Sequence, residues 1–341
     1  MGRLPRAILA PLACLTPLGL PGCSSGGGSS SGSGATWVPL PLGAVIVLAP
    51  AYSCGTDSFC YDIELTCPNV LLPAKASLRV ASDPLVASRG AILLTSGGEG
   101  FGFYGDEAAE APRILADMRA AGFTTVELRW IDSWLQGSSP AEGQALLACR
   151  PATVARWVHD NLYALGTGTA FCATGNSGGA AQIMYSMTHY GLESLYSLVV
   201  PTGGPPMSRI DWGCLPGTGP DPDAEYEPSG AETIDLGYGF PKGAGPCSLQ
   251  DSSYVTIFQE ASEAFGLHDY FFPNTLVWLV LGDQDLKVAP AQAAILLDRL
   301  IQEQSPLIQQ SVAPNTPHNV PSTVEGADLI RDILLGDCVP R

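Results

Sequence analysis

Ser177 lies in Gly175-Asn176-Ser177-Gly178-Gly179, between a β-like apolar run at 169–174 and a helix-like segment at 179–190. A strand-to-helix turn that tight leaves no room for flanking side chains, so glycines occupy both sides and the hydroxyl stands at the strand tip as a nucleophile. The same Gly-x-Ser-x-Gly spacing recurs at 22–26 and 28–32, but in a Ser/Gly tract with no strand or helix beside it. A neutral hydroxyl is a poor nucleophile and needs a base, for which imidazole titrates in the right range. The chain holds four histidines: His159, His189, His268 and His318. Carboxylates able to orient such a base follow two strand-like runs: Asp211 after the first, Asp283 and Asp285 after the second.

The elements that must position these groups alternate. From residue 76 onward, strand-like runs at 91–95, 124–130, 169–174, 195–200, 276–281 and 307–313 are separated by helix-like segments at 106–121, 151–165, 179–190, 291–304 and 321–335. That alternation predicts an α/β protein with a mostly parallel central sheet and helices on both faces. His159 falls in the helix before the serine strand and His189 in the helix after it, whereas His318 falls between the last strand and helix. Residues 207–250 are rich in Gly, Pro and Asp, show little periodicity and are flanked by Cys214 and Cys247. They read as a loop-rich insertion after the sixth strand, either a lid or pocket wall or surface decoration. Trp130, Trp134, Phe101, Phe103 and Tyr104 belong to loops near the same strand ends, where they line a pocket or pack the core.

The order strand, Gly-x-Ser-x-Gly, helix, then Asp after a later strand and His after the last, resembles the α/β-hydrolase superfamily over residues 76–336. The resemblance implies a serine hydrolase with Ser177 as nucleophile, His318 as base and Asp285 as the acid that orients it. His268 precedes the acid, which reverses the superfamily's order. Asp285 occupies the Gly-x-x-Asp position after the penultimate strand, with Asp283 as the alternative and Asp211 as a third candidate. The resemblance places the oxyanion hole at the amide of Gly178 and at the Gly-rich turn after the early strand, at Gly98 or Glu99. That turn begins Ser-Gly-Gly here instead of His-Gly-Gly, which alters no backbone donor. A phosphate-binding loop at 96–105 is the rival reading, but the Lys-Ser/Thr ending it requires is missing. The implied activity is carboxylic-ester hydrolysis of a small-molecule or polymer ester, without metal or organic cofactor. A serine peptidase on the same fold and a non-catalytic cell-surface binding module are the alternatives.

Composition bounds the setting. The chain of 341 residues is 46% hydrophobic and only 14% charged, with 39 Gly and 29 Pro, which suits a loop-rich exported globular protein. A net charge of −17 excludes a nucleic-acid partner, which needs a basic face, and disfavours an anionic membrane surface. Residues 1–23 read as an export signal: Arg3 and Arg6, an apolar stretch at 7–20, then small residues up to Gly22-Cys23. The apolar stretch is short of the ~20 residues that a spanning helix needs. Leu20-Pro21-Gly22-Cys23 resembles a bacterial lipobox, which implies lipidation of Cys23 and a membrane attachment only through it. Pro21 departs from that pattern, so plain secretion stays open. Residues 24–36 form a Ser/Gly linker, and 37–341 form the hydrolase-like domain. Eight further cysteines, an even number in an exported chain, imply disulfides, with Cys149–Cys172 and Cys214–Cys247 the expected pairs. Metal binding is disfavoured, because CxxC pairs are lacking and the histidines are scattered.

Overall fold

The computed structural model describes residues 37–163, 169–286 and 288–341. The expected export signal, Cys23 and the linker lie outside the described residues, as do the last two positions of the helix expected at 151–165. The chain opens with antiparallel strands β1 (Ala44–Val47), β2 (Tyr52–Gly55), β3 (Ser58–Thr66) and β4 (Ala74–Ala81). The parallel strands follow: β5 (Gly90–Thr95), β6 (Phe123–Trp130), β7 (Ala170–Asn176), β8 (Leu198–Thr202), β9 (Leu276–Gly282) and β10 (Ile308–Ala313). Among the described residues they form one 10-stranded sheet in the order β1-β3-β4-β6-β5-β7-β8-β9-β10, with β2 on β3.

The helices are α1 (Ala111–Ala120), α2 (Gln144–Leu147), α3 (Cys149–Asn161), α4 (Gly178–Thr188), α5 (Ile210–Cys214), α6 (Pro228–Gly237), α7 (Val255–Glu260), α8 (Val288–Gln302) and α9 (Val324–Asp337). Alternate residues of the central strands enter opposite core layers, as a two-residue side-chain period requires. Leu93, Phe171, Ala173 and Leu279 pack with α3, α4 and α8, while Ile92, Leu94, Cys172 and Val200 pack with α1 and α9. Burial on both faces explains why β5, β7, β8 and β9 read as apolar runs and not as alternating ones.

Several expectations need correction. The sheet begins well before residue 76, so the strand leading into the insertion, β8, is the eighth described strand and not the sixth. The first helix starts at Ala111, five residues later than expected. Pro112 occupies its first turn, where a missing N–H is harmless; of the acidic residues before it, Asp106 ends a 3-10 turn at Tyr104–Asp106, Glu107 caps that turn and Glu110 is the N-cap of the helix. The insertion is folded, with α5, a 3-10 turn at Pro222–Ala224 and α6.

Disulfides join Cys54–Cys60, Cys67–Cys149, Cys172–Cys338 and Cys214–Cys247. The last is as expected, but a Cys149–Cys172 bridge is not formed. Cys149 belongs to the α3 side of the sheet and Cys172 points to the α9 side, so the sheet itself separates them. Four formed disulfides suit an exported chain. Among the described residues no helix is long and apolar enough to cross a membrane.

Candidate active site

The spatial order β6-β5-β7 reverses the direction of chain progression between β5 and β7, which opens a crevice at their carboxyl ends. Thr95 pairs with Gly175, so the Gly97-Gly98 turn and the Ser177 turn leave the sheet side by side. Ser177 has φ 54° and ψ −115°, a conformation that non-glycine residues rarely hold without tight surroundings. The surroundings are tight: a Cβ at Gly175 would collide with the Thr95 hydroxyl, and one at Gly178 with the Gly98 carbonyl oxygen. Ser177 thus stands at the N-terminus of α4, whose first amides, beginning with Gly178, have no intrahelical acceptor and carry the positive end of the helix dipole.

His318 follows β10, and its Nδ1 is 2.8 Å from Asp285 Oδ2. The Asp285 side chain is fully buried, while that of His318 is 27% exposed. Asp283 faces elsewhere, its Oδ1 accepting the Thr316 amide at 3.0 Å. Asp211 forms a fork with Arg209 at 2.8 and 2.6 Å and accepts from Gln259. Among the three acids considered, Asp285 is therefore the one on the imidazole. Ser177, Gly178, Gly98 and His318 line one cavity of about 320 Å³. Glu99 does not line it, and its carboxylate pairs with Lys242 at 3.0 Å.

The remaining histidines lie apart from this site. His159 contacts Asp160, and the buried His189 stacks on the half-buried His268. Of the aromatics considered, Trp130 and Trp134 are buried supports: Trp134 Nε1 donates to the Gly98 carbonyl at 3.1 Å and Trp130 Nε1 to Gln182 at 2.9 Å. Phe103 and Tyr104 are buried, Phe101 is 53% exposed, and none of the five lines the cavity.

Residues the sequence reading passed over tie the three loops together. Asn176, buried beside Ser177, accepts through Oδ1 from the Val320 amide at 3.2 Å and the Thr202 hydroxyl at 2.9 Å. Glu107 Oε2 accepts the Gly97 amide at 3.1 Å, while its backbone carbonyl accepts from Asn319 at 3.2 Å. Burial raises the Glu107 carboxyl above its ordinary range, against the hydrogen bonds from Gly97 and Gly102. The neighbours of His318 are thereby fastened both to the serine strand and to the loop after β5. Asn176 was visible only as the variable position of the motif, and its partners lie in segments remote in sequence.

Neither a family model nor a curated protein sequence matches the chain. Among solved structures it is similar to a highly thermostable carboxyl esterase from Bacillus coagulans in complex with glycerol, at 14% identity and a TM-score of 0.51, over 81% of this chain and 96% of that one. It is similar to brefeldin A esterase, a bacterial homologue of human hormone sensitive lipase, at 14% identity and a TM-score of 0.51, over 82% of this chain and 76% of that one. A prolyl endopeptidase matches at 12% identity and a TM-score of 0.52, over 82% of this chain but 39% of that one. With the sheet order and the strand-turn-helix at Ser177, these likenesses define the fold as that of the α/β-hydrolases.

Proposed function

We propose that this chain is an exported serine hydrolase acting on carboxylic esters through an acyl-enzyme. The observation that carries the reading is the cavity shared by Ser177, Gly178, Gly98 and His318, with Asp285 hydrogen-bonded to the far nitrogen of that imidazole. Ser177 Oγ attacks the ester carbonyl while His318 Nε2 takes its proton, and Asp285 holds Nδ1–H and stabilises the imidazolium. The oxyanion receives the Gly178 amide and a second amide from Gly98 or Glu99, each donor worth roughly 3 kcal/mol in a well-formed hole. The imidazolium then protonates the departing alkoxide. Water, deprotonated by His318, attacks the acyl-serine, and the imidazolium returns that proton to Ser177 Oγ as the acid is released.

Ser177→Ala is expected to abolish turnover of p-nitrophenyl esters and labelling by a fluorophosphonate probe. Labelling of that variant at the wild-type rate would refute the assignment. The likeness to a prolyl endopeptidase makes peptide amides the second substrate class, separated from the first by an ester-against-amide panel. A protein that labels with neither probe nor substrate, yet binds a surface ligand, would fit the non-catalytic reading.

Four disulfides support the exported setting, in which 1–23 act as signal, 24–36 as linker and 37–341 as the working domain. Cys23→Ala is expected to move the protein from the membrane fraction to the soluble one and to remove incorporated lipid. Unchanged partitioning would leave plain secretion.

A further inference from the structure

We propose that the cavity beside Ser177 is a fixed acyl pocket and that the substrate is a soluble ester with a short, apolar acyl group. The inference rests on the serine-hydrolase reading above and adds to it the substrate class. At about 320 Å³ the cavity sits at the small end of the ~300–1,000 Å³ range of small-molecule sites. Met207, Tyr226 and Ile234 come from the insertion and Val288 and Ala289 from the start of α8, so the wall facing Ser177 is largely apolar. Glu227 lies on the exposed rim.

The insertion that builds this wall is fastened at many buried points. Asp235, fully buried, accepts the amides of Cys247 at 2.8 Å and Gly245 at 3.2 Å. Gln292 of α8, also fully buried, bridges Arg209 and Ala224: Oε1 accepts the Arg209 amide at 2.7 Å, while Nε2 donates to the Arg209 and Ala224 carbonyls at 3.1 and 2.9 Å. Gln144 donates to the Ile234 carbonyl at 2.8 Å, the Tyr226 hydroxyl to the Pro206 carbonyl at 2.9 Å, and Cys214–Cys247 closes the segment covalently. A lid that swings aside at a lipid surface is drawn from segments with few buried contacts. This segment has the opposite character, so the pocket keeps its size and long acyl chains find no room beside the nucleophile.

The experiment is kcat/KM for p-nitrophenyl acetate, butyrate, octanoate and palmitate, measured below and above each substrate's solubility limit. We expect the maximum at acetate or butyrate, a fall of about tenfold or more by palmitate, and no jump in rate on passing the solubility limit. Thr233→Phe, which projects a larger side chain into the cavity, is expected to lower butyrate relative to acetate by about tenfold. Ile234→Ala is expected to move the optimum toward octanoate. A maximum at palmitate, a rate jump at an emulsion, or an unchanged butyrate-to-acetate ratio in Thr233→Phe would overturn the proposal. Fluorophosphonate labelling of Ser177, run in parallel, separates the two levels. Labelling with the wrong chain-length profile sinks the pocket alone, whereas no labelling of the wild type sinks the hydrolase reading beneath it.

Discussion

Two regions of the molecule each hold a histidine against a neighbour, and they are built in opposite ways. At the crevice, His318 is part exposed and its Nδ1 lies 2.8 Å from a buried carboxylate, which fixes the direction of the ring. Away from it, the buried His189 stacks on the half-buried His268 with ring centroids 3.8 Å apart. Desolvation pushes His189 well below its ordinary 6.5, with His268 adding to the effect. Desolvation, then Arg299, lowers His268 to about 4. Burial thus comes with an acid beside the ring in one place and without one in the other, and the proton transfer proposed for His318 depends on that difference.

The sharpest way to break that contrast is to take the acid away from His318. Asp285→Asn should lower kcat by about four orders of magnitude, because the amide would hold the wrong tautomer. Asp283→Asn should cost only about 1 kcal/mol of stability through the Thr316 amide and leave kcat near the wild-type value. Steady-state kinetics with a soluble ester decides this, and equal losses in both variants would sink the assignment of the acid.

A smaller loss is expected when the imidazole keeps its acid but its loop is released. Asn176→Leu removes the acceptor for the Val320 amide and should lower kcat by about 100-fold with KM little changed, the scale of a displacement near 1 Å. Asn176→Asp keeps the acceptor and should restore much of the rate. A variant Asn176→Asp as slow as Asn176→Leu would show that the hydrogen bond to Val320 is not what holds the His318 loop.

The interior region is probed by stability and not by rate. Glu263 is fully buried, neither of its carboxylate oxygens has a hydrogen-bond partner among the described residues, and burial raises its pKa well above 4.5. It acts electrostatically on Tyr185, whose ring packs edge-on to His189. Because the folded pKa is raised, the stability of the native state relative to the unfolded chain declines as pH rises above 4.5. Glu263→Gln carries no such penalty, so its melting temperature should overtake that of the wild type progressively with rising pH. A constant gap across pH would contradict this.

The smallest effect concerns the stacked pair. Its folded pKa values are depressed, so the unfolded chain binds more protons below 6.5 and stability is lost as pH falls from 6.5 toward about 4. His268→Phe should flatten that decline in thermal melts while leaving the pH–rate profile of ester hydrolysis alone. A shift of the rate profile would mean that the two regions are coupled.

The serine turn was legible in sequence because its cause is local: Gly175 and Gly178 stand where a side chain has no space, between a strand and a helix. The central strands were legible for a related reason, since burial on both faces writes an unbroken apolar run. The N-terminal antiparallel strands were overlooked although β3 carries a readable signal, with Cys60, Ile63 and Leu65 buried among more exposed neighbours. The half-buried Asp62 and Glu64 interrupt that run, so it is hidden from a search for apolar segments. The insertion shows no periodicity because its order comes from single polar side chains, Asp235 within the segment and Gln292 and Gln144 reaching it from far along the chain.

By itself, the sequence determined the alternation of strand and helix, the elbow at Ser177 and the position of His318 beyond the last strand. Each of these depends on neighbours a few residues away. Tertiary structure alone decided that Asp285 and not Asp283 meets the imidazole, that Cys149 joins Cys67 and Cys172 joins Cys338, and how large a cavity remains beside the serine. Those outcomes depend on which face of the sheet each side chain takes and how distant loops pack against one another, a sum over the whole fold that no local stretch contains.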